Sequence, residues 1–327
     1  MRSDKIQHVL ILTLGRVAVH RDPPIEISVG SSLQAVAFSA NGDYFVSDAD
    51  GVRVLRAEDA KQMTAMKARH VRCLAVSKNG KWIAAGTWEG TVFVWDAETS
   101  EQLFLHKDSL NNLNDGINGV DFSPDSTRLV SAALSGTVSV WDVTTGKRMQ
   151  LLHHKDLVIA AKYSPQGDRI ATATCDFVQV WDSDSGHSLV GIKLKVKPLF
   201  NTGVIWFNEY LFVISDREVM QIRTSTWSPE AISKWTVPAS DIYSCIALPK
   251  HGGFIAYSTG RTVLLLETST HNQLALIQRP QNIHSIVISP DDRFIAVAGT
   301  GENIFVKRLS RITVSIVFLD YASGADR

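Results

Sequence analysis

The sequence predicts an all-β protein built from repeated units of four antiparallel strands, and three observations lead to that prediction. A segment that alternates apolar and polar residues and ends in Trp-Asp occurs in TVFVWDAETSE (91–101), TVSVWDVTTGK (137–147) and FVQVWDSDSGH (177–187). A strand–turn–strand unit precedes each copy, and the copies return at a nearly constant interval. Alternation with a period of two, rich in Val, is typical of a half-buried strand.

The unit upstream of each Trp-Asp segment reads as two strands joined by a tight turn, in which Pro, Asp, Asn and Gly supply the turn dihedrals. The Trp-Asp strand follows, and a polar turn leads from it to a fourth, outer strand. Each unit is therefore an antiparallel meander of four strands. The recognisable copies are VAFSANGDYFVSDA (36–49), LAVSKNGKWIAAGT (74–87), VDFSPDSTRLVSAA (120–133), AKYSPQGDRIATAT (161–174) and IVISPDDRFIAVAG (286–299).

The position of Trp in the Trp-Asp segment can be followed through weaker copies along the chain. Successive positions are separated by 40, 46, 40, 41, 44 and 41 residues. Seven copies of four strands predict a protein that is almost entirely strand and turn, without an amphipathic helix of useful length. The seven positions are Leu55, Trp95, Trp141, Trp181, Ile222, Leu266 and Lys307.

The Trp-Asp ending, the Ser-Pro-Asp-Gly-like turn and the period resemble WD40 repeats over about residues 30–320. The resemblance implies a β-propeller, in which four-stranded blades stack around a channel because one blade alone does not bury both of its faces. We expect seven blades in a single domain, residues 30–327; an eight-bladed ring with one incomplete blade is the alternative. The repeats are also similar, more weakly, to WD40 arrays of large fungal proteins, which would make the chain a sensing or scaffold domain of a larger protein.

The two ends of the chain contain more strand-like segments than seven blades require. HVLILT, RVAVH and PIEIS lie within residues 8–28, and the resemblance implies that an N-terminal strand completes the last blade. The tail ITVSIVF (312–318) is a second candidate for the same outer place. We assign residues 1–29 to N-terminal strands that contribute to ring closure.

The composition excludes several classes of protein. Of 327 residues, 45% are hydrophobic and 20% charged, which is unlike a disordered chain. Lys+Arg and Asp+Glu are both 33, and this zero net charge argues against a coat for nucleic acid or acidic membrane. The sequence contains no apolar run of ~18 residues, the length that would predict a membrane span. Cys73, Cys175 and Cys245 lie far apart, which fits a reducing compartment, and we expect a cytoplasmic protein with the nucleus as the alternative.

Motifs for catalysis are incomplete in this sequence. GHSLVG (186–191) has one residue too many for a nucleophile elbow, HGG (251–253) falls in a repeat turn, and GTG (299–301) precedes a strand where a dinucleotide fingerprint needs a helix. We therefore predict no catalytic residue, no metal site and no cofactor, and a protein that is not an enzyme. The alternative is an enzyme with a pocket at the channel mouth, which predicts a cluster of groups with shifted pKa values there.

One repeat matches a hydrogen-bonded set that the WD40 resemblance implies. The set joins a His before the first strand, a Ser or Thr on the second, an Asp in the next turn, and the Trp. Such a network is stable only when every polar member is paired. We therefore expect a structural role, and no catalytic one, for His154, Thr172, Asp176 and Trp181.

Basic residues at a period of two form a strip in GIKLKVKP. On a strand, Lys193, Lys195 and Lys197 share one face, where they would meet phosphate groups. No aromatic residues interleave with the lysines, and charged edge strands also serve to prevent pairing between sheets. Binding of nucleic acid or an anionic head group through this strip is therefore an alternative function, and the sequence disfavours it.

A partner is expected at the channel end built by the loops that enter the first strands and by the turns between second and third strands. Trp88 stands out because Trp, Tyr and Arg are favoured at binding hot spots; the alternative is that it packs on the neighbouring loop. Two repeats are longer than the others because of the Asn-rich loop 106–116 and an insertion at 224–241, and such insertions often take part in recognition. We expect a non-catalytic scaffold, monomeric as an isolated domain, that binds a protein or peptide through Arg72, Trp88, Gln34, Asn118, Tyr243 and His284.

Overall fold

The structure is a computed structural model, and all the regular secondary structure that it describes is β. The strands form seven antiparallel sheets in the described part of the chain, which we call blades one to seven. Among these residues no helix has the length and apolarity needed to cross a membrane. The described residues are 17–19, 25–28, 32–48, 50–107, 115–174, 177–193, 203–215, 218–225, 232–237, 245–300 and 303–311.

Blades one to four each contain four strands that pair in chain order. Blade one has β3 (Val36–Phe38), β4 (Tyr44–Ser47), β5 (Val52–Arg56) and β6 (Gln62–Met66). Blade two has β7 (Val71–Val76), β8 (Trp82–Thr87), β9 (Thr91–Asp96) and β10 (Gln102–Lys107). Blade three has β11 (Ile117–Phe122), β12 (Arg128–Ala133), β13 (Thr137–Asp142) and β14 (Arg148–His153). Blade four has β15 (Val158–Tyr163), β16 (Arg169–Thr174), β17 (Phe177–Asp182) and β18 (Ser188–Lys193).

Blades five and six repeat this order, whereas blade seven includes strands from the N-terminal region. Blade five has β19 (Val204–Phe207), β20 (Tyr210–Ser215), β21 (Glu218–Arg223) and β22 (Ile232–Thr236). Blade six has β23 (Ile246–Ala247), β24 (Phe254–Thr259), β25 (Thr262–Glu267) and β26 (Gln273–Gln278). Blade seven has β27 (Ile283–Ile288), β28 (Phe294–Gly299) and β29 (Asn303–Arg311), together with β1 (Val17–Val19) and β2 (Ile25–Ser28).

The sequence repeat and the blades have the same register. Each of the seven repeat positions lies on the third strand of its blade, opposite an apolar residue of the second strand. The prediction of seven four-stranded blades is therefore confirmed. The pairs are Phe45–Leu55, Ile83–Trp95, Leu129–Trp141, Ile170–Trp181, Leu211–Ile222, Ile255–Leu266 and Ile295–Lys307.

The hydrophobic core of the propeller lies between the blades. The first strand of each blade contacts the first strands of its two neighbours, and β27 of blade seven contacts β3 of blade one. Each of the seven interfaces contains one cluster of buried apolar side chains. Fully burying a side chain such as Val or Ile stabilises by about 1.5–3 kcal/mol. Because the ring closes between blades seven and one, it has no place for the eighth blade of the alternative prediction.

Two N-terminal strands form the outer edge of blade seven. β2 pairs with one half of β29, from Val306 to Asn303, and β1 pairs with the other half, from Leu309 to Arg311. β29 is nine residues long, which gives it room for both partners. HVLILT and the tail 312–318 lie outside the described residues.

β2 is joined to its surroundings by both apolar and charged contacts. Its side chains alternate: Ile25 and Ile27 pack on the cluster between blades seven and one, whereas Glu26 and Ser28 are exposed. Arg279 Nη1 lies 2.8 Å from Glu26 Oε1, and its guanidinium carbon lies 4.3 Å from the centre of the Phe305 ring. The apolar side of β2 thus packs on the seam at which the ring closes, while Glu26 joins blade seven to Arg279 of blade six.

The polar residues of the repeat close its turns. In blade two, Ser77 Oγ donates to Asn79 Oδ1 at 2.7 Å and accepts from the amide of Trp82 at 2.8 Å. In the Trp-Asp turn of blade three, Asp142 Oδ1 accepts from the amide of Thr145 at 2.7 Å. That hydrogen bond lowers the pKa of Asp142, so the carboxylate stays charged in the turn. The recurring acidic residue therefore has a local structural role.

Candidate functional site

The first strands of all seven blades line a central cavity of about 810 Å³. At one end of this cavity the first strands begin, and the turns between second and third strands meet them. In blade two, for example, Val71 at the start of β7 pairs with Thr87 at the end of β8. We call this end, with its loops and turns, the entrance face.

Arg72 and Trp88 form a stacked pair on the entrance face. The guanidinium carbon of Arg72 lies 3.7 Å from the centre of the Trp88 ring. The Trp88 amide donates to the carbonyl of His70 at 3.0 Å, and the side chain is 49% exposed. Such a cation–π contact contributes about 0.5–1 kcal/mol at an exposed site. One face of the indole is thus covered by a side chain of the same blade, and much of the rest is accessible to a partner.

The other predicted binding residues on the described chain belong to the cavity wall. Gln34, Asn118 and His284 line the cavity together with Arg72. The side-chain nitrogen and oxygen of Asn118 are buried and make no hydrogen bond to any described residue. The structure therefore brings four of the six predicted residues around one cavity and places Trp88 at its rim, while Tyr243 lies outside the described residues.

His284 is held at the seam between blades seven and one. It is only 5% exposed, its ring Nδ1 lies 2.9 Å from the carbonyl oxygen of Leu33, and burial lowers its pKa. The contact joins residues 251 positions apart in the chain. His284 therefore contributes to ring closure as well as to the cavity wall.

Asp48 is a residue of this site that sequence reasoning missed. Its Oδ2 accepts from the amide of Gln34 at 2.8 Å and its Oδ1 from the amide of Ala35 at 3.2 Å, so it fixes the start of the first blade. Burial raises its pKa to about 6, against these two hydrogen bonds, which lower it. The sequence does contain a signal, because the aligned places of four other blades are Gly86, Ala132, Ala173 and Ala298.

Asp48 makes a specific contribution to the pH dependence of stability. Because its folded pKa lies above the unfolded value, the folded state holds a proton between about pH 4 and 6 that the unfolded chain has released. The stability from this group is therefore fully present below about pH 4 and is lost as the pH rises through 6. Asp48→Asn removes that titration. The free energy of unfolding of the variant minus that of the wild-type protein should therefore be about 2–3 kcal/mol larger at pH 7.5 than at pH 4.

Urea denaturation of both proteins at pH 4 and pH 7.5 measures this change. If the Asp48→Asn substitution also alters stability in a way that does not depend on pH, that effect is the same at both pH values and cancels. A constant difference between pH 4 and pH 7.5 would show that Asp48 is ionised normally in the folded protein.

Three members of the predicted structural network in blade four are joined by hydrogen bonds. Trp181 Nε1 donates to Thr172 Oγ1 at 2.8 Å, and His154 Nε2 lies 3.0 Å from the same oxygen. Burial lowers the pKa of His154 to about 4, so the ring is neutral near pH 7. These side chains are engaged with one another inside the blade, and Asp176 lies outside the described residues.

The cavity wall contains thiols, but they are not activated. Burial raises the pKa of Cys73 and that of Cys245 to about 12. Each sulfur lies against a carbonyl of the next blade, at 3.5 Å from Ile117 O and 2.8 Å from His284 O, respectively. A thiol held in its protonated form is a poor nucleophile.

Further features of the sequence fall partly outside the description. Over the described ranges, no group of three or more His, Cys, Asp or Glu side chains is arranged to hold a metal ion. Lys193 is exposed at the end of β18, whereas Lys195, Lys197 and Cys175 lie outside the described residues. In the loop 106–116, the structure describes residues 106–107 and 115–116. In the insertion 224–241, it describes residues 224–225 and 232–237.

Comparison with known proteins gives matches to propellers and WD-repeat proteins. A family model described as the Vps8 beta-propeller matches residues 57–164. Small ribosomal subunit protein RACK1y of Oryza sativa subsp. japonica is 28% identical over 143 residues, which are 42% of this chain and 41% of that protein. WD repeat-containing protein 1 of Mus musculus is 34% identical over 76 residues, 23% of this chain and 12% of that protein.

A longer match is to apoptotic protease-activating factor 1 of Danio rerio. It is 23% identical over 283 residues, which are 85% of this chain but 21% of that protein. In each of these three relatives, the matched part is less than half of the relative's own length.

Proposed function

Because the chain is a WD40-repeat β-propeller, we propose that it is a non-catalytic scaffold that binds a protein or peptide on its entrance face. WD40 propellers typically serve as protein-interaction scaffolds. On this chain, the proposal is supported most directly by the Arg72–Trp88 pair, in which the half-buried Arg72 stacks on an exposed indole. The cytoplasmic location and the monomeric state remain predictions from the sequence.

Trp88 differs from the tryptophans of the repeat in its exposure. Trp95 and Trp141 are 2% exposed between blades, whereas Trp88 is 49% exposed. An aromatic side chain buries roughly 150–250 Å² when it is fully covered. Covering the exposed half of Trp88 at about 25 cal/mol per Å² would therefore stabilise a complex by about 2–3 kcal/mol. That energy corresponds to roughly 30–150-fold in affinity.

Arg72 holds the Trp88 ring in place before a partner arrives. The guanidinium carbon lies 3.7 Å from the centre of the indole ring, and Arg72 also lines the cavity wall. A contact that already restricts a side chain reduces the entropy lost on binding. The pair therefore suits a binding surface better than an isolated exposed Trp would.

We expect Trp88→Ala to weaken binding about 30–100-fold, because the anchor is removed. Peptides selected on the original protein from a phage-displayed random library serve as probes, and fluorescence anisotropy measures their affinity. Leu189→Ala is the matched control, since Leu189 is 48% exposed but lies on the outer strand β18. If the Trp88 and Leu189 variants bind the peptides equally well, the entrance-face proposal is wrong.

A further inference from the structure

The geometry points to the chemical class of the partner: an extended peptide that carries both apolar and acidic side chains. We infer that it lies across blades two, three and four on the entrance face, and this inference rests on the scaffold function proposed above. The surface concerned, which we call the blade 2–4 arc, consists of Arg72, Trp88, Leu134, Leu157, Phe177 and Lys193.

Exposed apolar side chains on the described entrance face are confined to this arc. Trp88, Leu157 and Phe177 are 49%, 43% and 40% exposed. The other large hydrophobic residues that are exposed in the described chain lie on outer strands: Met63, Leu105, Met149, Leu151, Leu189 and Leu276. An apolar surface confined to one side of a channel mouth is typical of an interaction site.

The arc is continuous from one blade to the next. A Cβ atom at Gly116 would lie 3.2 Å from the Trp88 carbonyl oxygen and 3.5 Å from Leu134 Cδ1, so the loop that enters blade three lies between the turn of blade two and Leu134. A Cβ atom at Gly136 would lie 3.1 Å from the carbonyl oxygen of Asp156, next to Leu157. A partner that follows the arc therefore meets apolar side chains on successive blades without leaving the surface.

A cation accompanies each of the two exposed aromatic residues of the arc. Arg72 stacks on Trp88, and Lys193 is the cross-strand partner of Phe177 in blade four. Lys193 is exposed, as is Phe177. Hydrogen bonds from such cations to carboxylates are stronger than those between neutral groups. The arrangement fits a peptide with apolar side chains that contact the rings and acidic side chains beside them.

The same surface suits a nucleic acid less well. Bases do stack on exposed aromatic rings, but the phosphate backbone requires a continuous basic groove. The described cations of the arc, Arg72 and Lys193, each stand beside a separate aromatic ring and do not form a continuous strip. Leu134 and Leu157 lie between the aromatic residues and offer aliphatic contacts. A surface on which successive bases stack would have flat aromatic side chains at these positions. Zero net charge over the chain points the same way.

Selection from a phage-displayed library of random twelve-residue peptides tests the inference. We expect the peptides enriched on the original protein to combine apolar and acidic residues. Synthetic copies should lose about tenfold in affinity with Phe177→Ala and with Lys193→Glu, and the Lys193→Glu effect should shrink at high salt. Leu189→Ala and Leu276→Ala, which alter exposed residues outside the arc, should bind as the original protein does, and a fifteen-residue thymidine oligonucleotide should not displace the peptides.

The contrary outcomes separate this inference from the scaffold proposal. If Phe177→Ala and Lys193→Glu bind normally while Trp88→Ala does not, the inference is wrong and the scaffold function stands. If basic or uncharged peptides are enriched, the inference is likewise wrong and the scaffold function stands. Displacement of the peptides by the oligonucleotide would indicate a surface that binds nucleic acid. Failure to enrich any peptide contradicts both. Lys193→Glu changes an exposed outer-strand residue, so its result stands even if Phe177→Ala impairs folding.

Discussion

Ile27→Asp is expected to lower the free energy of unfolding by about 3–5 kcal/mol, because it places a carboxylate in the seam at which the ring closes. Ile27 pairs with Ile304 across β2 and β29, and its side chain packs on the cluster between blades seven and one. The substitution removes apolar burial and adds the cost of desolvating a charge. Because one seam holds the first blade against the last, we expect the loss to affect the whole ring.

Ser28→Asp is the matched control for this experiment. Ser28 is the next residue on β2 and is exposed, so the same carboxylate there should change stability by less than about 0.5 kcal/mol. Urea denaturation followed by tryptophan fluorescence measures both variants. Equal midpoints for Ile27→Asp and Ser28→Asp would show that β2 does not hold the seam. A loss confined to Ile27→Asp would show that an N-terminal strand is needed to close the propeller.

The register of the blades could be predicted because each repeat is a local pattern. Even the copy with Lys307 in the place of Trp falls on the third strand opposite an apolar residue. The choice of outer strand for blade seven could not be predicted in the same way. RVAVH, PIEIS and the tail all alternate as an edge strand does, and local alternation does not specify which distant strand will be the partner. The structure shows β1 and β2 side by side along β29.

The candidate site was less predictable than the fold, because its contacts join distant parts of the chain. Sequence reasoning placed Arg72 and Trp88 on the same face, but a stack between them depends on side-chain conformations that a repeat does not specify. His284 was expected at the surface, yet its ring meets the carbonyl of Leu33 inside the seam. Asp48 was visible only as a departure from the Gly and Ala of the other copies, and its capping role depends on the amides of Gln34 and Ala35.

Gly299→Ala is expected to lower the free energy of unfolding by about 3–5 kcal/mol, through steric overlap inside blade seven beside the same seam. Gly299 ends β28, and a Cβ atom there would lie 1.8 Å from the carbonyl oxygen of Asn282 and 3.1 Å from the Cα of Ile283. Both neighbours are backbone atoms, so a change of side-chain rotamer does not relieve the clash. The surrounding backbone is also fixed, since Gly299 accepts from the amide of Leu33 at 2.9 Å.

Gly260→Ala separates this overlap from the general cost of replacing glycine. Gly260 has a φ of +54° but no atom within 4 Å of an added Cβ, so its substitution should cost only about 1 kcal/mol of backbone strain. If the two variants have the same urea midpoint, the close approach at Asn282 does not constrain the fold. If Gly299→Ala has the larger effect, combining it with Ile27→Asp should cost less than the sum of the single changes. Both residues lie in blade seven beside the seam: Ile27 packs on its apolar cluster, and Gly299 accepts a hydrogen bond from Leu33 across it. If one substitution already loosens the seam, the other has less stability to remove there.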